Sequence, residues 1–198
     1  MVSEGSALAT GVYAYYSDGT LKPYAEADSS AIGVAVITNK CKFVIDKTES
    51  GDLAFSGMGR DSELVASGIV VTNDLSVAVT DFNGSSNTTK IIGVYSGYTQ
   101  GAVSGAPTAE YTRTRFNGMG YLGAAGEWNA ALSYKSEINS MMSKIGGTQL
   151  SLRYWVSTIH PGGSGGVQWR TNFQNNSIEA TYARNNTYNM RARAFRSL

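Results

Sequence analysis

With 198 residues, 42% of them hydrophobic and 11% aromatic, the chain has enough apolar surface to offset the entropy of ordering its backbone, which excludes an intrinsically disordered protein. The length suits one domain of ordinary size, or one with a small appendage, and 23 glycines, twelve tyrosines and three prolines favour strands and turns over long helices. A formal net charge of +1 excludes a strong polyanion-binding footprint for the molecule as a whole.

The first residues, MVSEGSALATGVYAYY, lack the basic start and apolar stretch of an export signal, and no run along the chain reaches membrane-spanning length. Direct membrane insertion is therefore not expected. GVYAYYSDGTLKPYAEA reads as a hairpin: a tyrosine-rich strand, a turn at Ser17-Asp18-Gly19, and a return through Leu21 and Tyr24. AIGVAVIT, residues 31–38, is a continuous apolar strand expected to be buried on both faces, with KFVID as its partner. Between them lies the one cysteine, Cys41, which cannot make an internal disulfide and is expected to be a buried thiol. Residues 1–50 thus form an N-terminal strand segment packed on a main domain of residues 51–198.

Residues 50–80 hold two short apolar runs, SGIVVT and LSVAVT, compatible with strand or helix. DFNGSSNTTKIIGVYSG predicts a turn at Asn83-Gly84, then a short helix capped by Asn87 with Ile91, Ile92 and Val94 turned inward. Pro107 marks the start of another helix, to which Ala109 and Tyr111 supply contacts. GYLGAAGEWNAALSYKSEINSMMSKIGG is the strongest helical region, because Trp128, Leu132, Ile138, Met141, Met142 and Ile145 recur at helical spacing. A break is expected near Tyr134, with a fresh start at Ser136-Glu137 and a stop at Gly146-Gly147.

Beyond Gly147 the pattern is of strands: Tyr154–Thr158, Val167–Phe173, Ser177–Ala183 and Asn189–Phe195. In QWRTNFQ, Trp169, Thr171 and Phe173 share one face and are expected to anchor a core, while Gln168, Arg170, Asn172 and Gln174 share the other and are expected to be displayed. In NMRARAF, Arg191 and Arg193 share a face, and if buried they require carboxylate or carbonyl partners. Residues 145–198 contain six Arg, no Lys and a single acidic residue, Glu179, against ten basic and fourteen acidic residues before them. A solvated strand face accounts for these arginines better than a nucleic-acid surface does, since there is no Lys/Arg run and no aromatic RNA-binding string. GGSGG lacks the Lys-Ser/Thr and following helix of a phosphate loop. The one histidine, His160, stands in that glycine-rich loop and gives Cys41 no evident base, and no His/Cys/Asp cluster has metal-ligand spacing. No enzyme activity, cofactor or metal is expected.

Taken in order, GYLGAAGEWNAAL, a helix ending KIGG, YWVST, a glycine-rich stretch, Trp-x-x-x-Phe, an asparagine-rich segment and a terminal Arg-x-Arg-x-Phe resemble the C-type lectin fold variable proteins of diversity-generating retroelements. The likeness is to those of gut Bacteroidales phages, prophages and surface proteins. YYSDGT, AIGVAV and DFNGSSNTTKII extend it over most of the chain, whereas Gly123-Ala124 stands where that family shows a helix-capping Pro-Ser.

The resemblance implies an α+β domain of C-type lectin fold with short antiparallel strands, two or three short helices and an N-terminal β-hairpin region. It also implies a variable region at about residues 155–195. In that family a reverse transcriptase misreads template adenines, so asparagine codons are rewritten; every residue from His160 to Val167 is reachable from AAC, and Asn172, Asn175, Asn176, Asn185 and Asn186 would be unaltered copies. Gln168, Gln174 and Glu179 fall outside that set.

The implied ligand-binding surface takes His160, Pro161, Gly162, Ser164, Gly165 and Val167 from the loop. Gln168, Arg170, Asn172, Gln174 and Asn175 come from the next strand, and Glu179, Thr181, Tyr182, Arg184, Asn185, Asn186 and Tyr188 from the last segment. Tyr182, Tyr188, Arg170 and Arg184 would be its anchors if exposed. Calcium-dependent sugar binding is not expected, because Glu-Pro-Asn, Gln-Pro-Asp and Trp-Asn-Asp are absent; the C-terminal cysteines of sulfatase-modifying enzymes of this fold are absent too. The expected partner is a host cell-surface protein or glycan, with no nucleic acid, on a phage tail or alternatively a bacterial cell surface, and a homotrimer by analogy. A structural tail or pilus subunit and a degenerate formylglycine-generating enzyme are the alternatives.

Overall fold

In the computed structural model the described residues are 9–162, 166–181 and 183–198, the side chain of Thr181 excepted. Strand β1 (Gly11–Tyr15) turns Val12 and Ala14 to one side and Tyr13 and Tyr15 to the other, as period-two side chains must. A turn closed by the Gly19 amide on the Tyr16 carbonyl (3.0 Å) leads to β2 (Leu21–Lys22). The return stops there rather than at Tyr24, because Pro23 has no N–H for the ladder and instead opens a 3-10 turn, Tyr24–Glu26. Strands β3 (Gly33–Ile37) and β4 (Lys42–Asp46) pair antiparallel, and all five residues of β3 are buried, as the apolar run predicts. Cys41 in the connecting turn is half-buried, and burial raises its thiol pKa.

The two ambiguous runs differ. SGIVVT forms no regular element and touches the C-terminal half through a bridge from Val71 to Ile159. After α1 (Asp61–Ala66), LSVAVT yields α2 (Leu75–Ala78), capped where Asp74 Oδ1 accepts the Ser76 amide at 2.8 Å. Helix α3 (Gly84–Tyr95) begins four residues earlier than expected, so Asn87 lies inside its first turn and donates to Asp81 Oδ2 at 2.8 Å instead of capping. Its inward residues are Ile91 and Tyr95, with Ile92 and Val94 only half-buried. A small hairpin, β5 (Thr99–Gln100) and β6 (Val103–Ser104), precedes α4 (Pro107–Gly118), which starts at Pro107 as expected, where a missing N–H costs nothing.

Strand β7 (Tyr121–Leu122) leads into α5 (Ala125–Ser133) and α6 (Lys135–Lys144), broken at Tyr134. All six periodic apolar residues of this region are buried. The stop is as read: Gly146 takes φ 69°, and the Gly147 amide reaches back to the Met142 carbonyl at 2.7 Å.

Strands β8 (Arg153–Trp155), β9 (Gln168–Asn172) and β10 (Ser177–Thr181) form a three-stranded antiparallel sheet. The last strand, β11 (Ala194–Ser197), inserts between β4 and β7 in a six-stranded antiparallel sheet ordered β2-β1-β3-β4-β11-β7. The N-terminal strands and the chain's last strand therefore share one sheet.

One core lies between that sheet, helices α5 and α6 and one face of β8–β10, centred on Trp128, which stacks on Tyr154 (5.2 Å) and meets Phe195 edge-on (4.6 Å). A second core joins α3, α4 and Phe55 to the other side of β8 through Trp155, Ile159 and Met190. The class is α+β as expected. Six α-helices occur among the described residues instead of two or three, partly because α1 and α2, at six and four residues, are too short to show a helical period.

Candidate functional site

The residues expected to form a displayed surface converge on the sheet β8–β10 and the segment that crosses it. β9 turns Trp169 and Phe173 into the main core, and Thr171 is also buried. Its other face is not bare. Trp155 of β8 lies on that side, covered by Phe55 at 5.7 Å between ring centroids, and Met190 closes over Arg170. A sheet buried on both faces still alternates in sequence when one face is packed with apolar and the other with polar groups.

Three expectations of exposure are accordingly corrected. Gln168 is 0% exposed: its amide donates to the Val156 and Thr158 carbonyls at 2.7 and 2.8 Å and accepts from the His160 amide, which ties the glycine-rich loop to β8. Asn172, at 1%, donates to Glu179 (2.9 Å) and accepts the Gln174 amide (3.0 Å), fixing the turn into β10. Arg184, at 0%, pairs with Asp61 and donates to the His160 carbonyl at 2.9 Å. The Arg184 backbone also bridges Gly166 and Phe55, so this one residue fastens three loops.

Arg170 and Glu179 are partly exposed but hold each other at 2.8 Å across the β9–β10 pair. His160 is half-buried edge-on to Trp169 (4.9 Å), and burial lowers its imidazole pKa. Pro161 is exposed and Val167 half-buried. Gly162 has no room for a Cβ, which would collide with the Val167 amide. Ser164, Gly165 and Tyr182 lie outside the described residues, as does the side chain of Thr181.

What remains in water falls into two stretches. Gln174 and Asn175, with Asn176, form the turn after β9; Asn185 and Asn186 run with Thr187, Tyr188 and Asn189 along the crossing segment. Tyr188 is 76% exposed, the highest value among the large apolar or aromatic residues described. Its backbone is held nevertheless: its amide donates to Asn186 Oδ1 (2.8 Å), and the Asn189 amide to Asp52 Oδ2 (3.2 Å).

The asparagines have a conformational reason to be there. Asn176 and Asn189 both take φ 54°, a left-handed geometry that asparagine tolerates better than most residues. The partners that sequence reading missed are Glu49, Asp52 and Asp61, which receive Arg191, Arg193 and Arg184. The signal was present: an arginine-only C-terminal quarter beside an acidic remainder. With those charges engaged, the exposed stretches offer amides, hydroxyls and one aromatic ring, groups suited to recognition by hydrogen bonding and stacking.

No family model matches the chain, and no curated protein matches its sequence. Among solved structures, a fimbrial protein from Bacteroides ovatus superposes with a TM-score of 0.70 at 17% identity, over 96% of this chain and 49% of that one. This chain thus spans about half the length of that protein, and at such identity the likeness is one of fold.

Proposed function

We propose that the chain is a binding domain of a surface-attachment protein that meets its target through the crossing segment Asn185–Asn189 and the Gln174–Asn176 turn, without catalysis. The supporting observation is Tyr188, an aromatic ring held out in water on a hydrogen-bonded backbone. Changes at Gln174, Asn175, Asn185 and Tyr188 cost little folding energy, because these exposed side chains make no hydrogen bond to the rest of the fold among the described residues. The fold likeness to a fimbrial protein favours a bacterial surface appendage over a phage tail. The target is a cell-surface protein or glycan recognised without metal.

Within this reading, a C-type lectin fold diversified by a retroelement remains the finer proposal, restricted to the exposed positions. It requires that differences between the coding DNA and a near-identical repeat be confined to adenines of the repeat and to codons of exposed residues, and that codons 168, 172 and 184 be invariant. A structural appendage subunit is the second reading, favoured by the internal use of Gln168, Asn172 and Arg184.

Adhesion of protein-coated beads to intact Bacteroidales cells and to intestinal mucus separates the two. Tyr188→Ala is expected to reduce adhesion about tenfold or more at unchanged stability, as loss of an aromatic hot spot does. Adhesion indifferent to Tyr188, Asn185 and Asn186 leaves the structural subunit standing.

A further inference from the structure

The outer face of the six-stranded sheet, away from the main core, carries a cleft of about 340 Å3 that shares no lining residue with the exposed stretches above. It opens at an interruption near the end of α4. Arg115 leaves the helix with ψ 161°, and Phe116 and Asn117 follow in left-handed geometry (φ 50° and 57°), so the chain folds back over the sheet and Phe116 packs edge-on to Tyr15 at 6.4 Å. That reversal brings the Arg115 guanidinium to the same cleft as Arg196 of β11.

The hydrogen-bonding inventory of the cleft is unbalanced. Asp46, its one carboxylate, is 3% exposed and already accepts from the Thr48 amide (2.9 Å), the Thr48 hydroxyl (3.0 Å) and Arg115 Nε (2.6 Å). Arg115 Nη2 is spent on the Thr48 hydroxyl at 2.7 Å. Among the described residues, Arg115 Nη1 and the whole Arg196 fork have no hydrogen-bond partner, Arg196 resting over the Tyr15 ring at 5.2 Å. Ser17 and Asn117 add donors at the rim, while Ile32 and Phe116 make the rest of the wall apolar.

Two guanidinium groups against one buried carboxylate that already accepts three hydrogen bonds leave a positive cavity with an apolar side. We propose that this cleft binds an oxyanion, a carboxylate or a phosphate ester, carried on a small apolar body. The anion sits between Arg196 and Arg115 Nη1 in charge-assisted hydrogen bonds, and the body lies against Ile32 and Phe116.

Benzoate, phenyl phosphate and uncharged benzyl alcohol are the probes, titrated into the whole chain by calorimetry with arginine side-chain resonances followed by NMR. Both anions are expected to bind saturably with Kd near or below about 1 mM, and benzyl alcohol not to bind in that range. Arg196→Gln is expected to weaken anion binding about tenfold or more without shifting the urea midpoint, the fold-loss that distinguishes a contact residue from a bystander. Arg196→Lys keeps the stem and the charge but not the planar fork, and falls between the two. Failure of both anions to saturate, equal binding of benzyl alcohol, or unaltered affinity in Arg196→Gln overturns the proposal.

Discussion

A guanidinium with no exposed surface persists only where its charge is met, and the C-terminal segment contains two, Arg184 and Arg193, each beside a carboxylate although Arg184 Nε and Arg193 Nε and Nη1 find no acceptor among the described residues. Arg193 donates to the Thr148 carbonyl and stands 3.9 Å from Glu49, which also takes Arg191 and the Tyr154 hydroxyl (2.6 Å). Arg184 draws on Asp61, a residue 123 positions away in sequence. Removing one partner of such a pair strands the other. Arg184→Met is therefore expected to cost about 2–3 kcal/mol, less than for a wholly buried pair because Asp61 keeps some access to water. Tyr188→Ala, with nothing packed on its ring, should stay within about 0.5 kcal/mol of wild type. Urea unfolding of the two variants side by side checks this, and equal losses would remove the distinction between an internal Arg184 and an external Tyr188.

Helix α5 shows what an element can borrow from its surroundings. Its N-terminus has Ala124 where a side-chain cap is preferred, so the freed amides must find acceptors elsewhere. Glu127 reaches back to the Ala124 amide at 2.8 Å, the Thr158 hydroxyl accepts the Ala125 amide at 2.9 Å, and the Asp81 carbonyl accepts the Gly126 amide at 2.8 Å. Gly126 is obligatory for the last contact, since a Cβ there would lie 2.6 Å from that carbonyl oxygen. Thr158→Val keeps the shape and loses the acceptor, and is expected to lower stability by about 1–3 kcal/mol, read from the thermal or urea midpoint. A neutral result would mean that water replaces the hydroxyl.

Sequence alone reveals α5 and α6, because their apolar residues recur at the helical period, and β3, because its run is unbroken. It does not reveal Thr158 as a cap, nor the burial of Gln168 and Asn172. Those depend on which polar groups the fold brings together, and period-two alternation looks the same whether the polar face meets water or a second packed layer. The asparagines of the crossing segment were legible as unusual, but the left-handed backbone of Asn189 and the hydrogen bond accepted by Asn186 are properties of the folded loop.

At the scale of the whole molecule, two cores meet at a buried polar junction. Asp81, 2% exposed, accepts from Asn83, Asn87 and Thr158, and beside it Glu127, 5% exposed, accepts the Tyr121 hydroxyl at 2.7 Å. These residues tie the start of α3 and the start of α5 to β7 and, through Thr158, to the segment after β8, so the junction bears on global unfolding rather than on one loop. Burial pushes the Glu127 carboxyl from an ordinary 4.5 up to about 7, with the neighbouring Asp81 charge acting in the same direction. A group with a raised folded pKa contributes stability that is fully present below its unfolded value and is lost as pH rises through the folded one. Across that window the native state holds a proton the unfolded chain has released, and the contribution falls by up to about 3 kcal/mol.

Carboxylates with lowered pKa act in the opposite sense and in more acidic solution: Asp28, held by Ser30, loses its contribution as pH falls below its ordinary value of 3.8. Comparing the wild type with Glu127→Gln cancels them. The stability difference, wild type minus variant, is expected to shrink steadily as pH is raised from about 5 to about 8 and to level off above that, measured by urea unfolding. A difference that stays constant across the range would mean that Glu127 is ionised throughout, held as an anion by the amides of two helix starts rather than as an acid by burial.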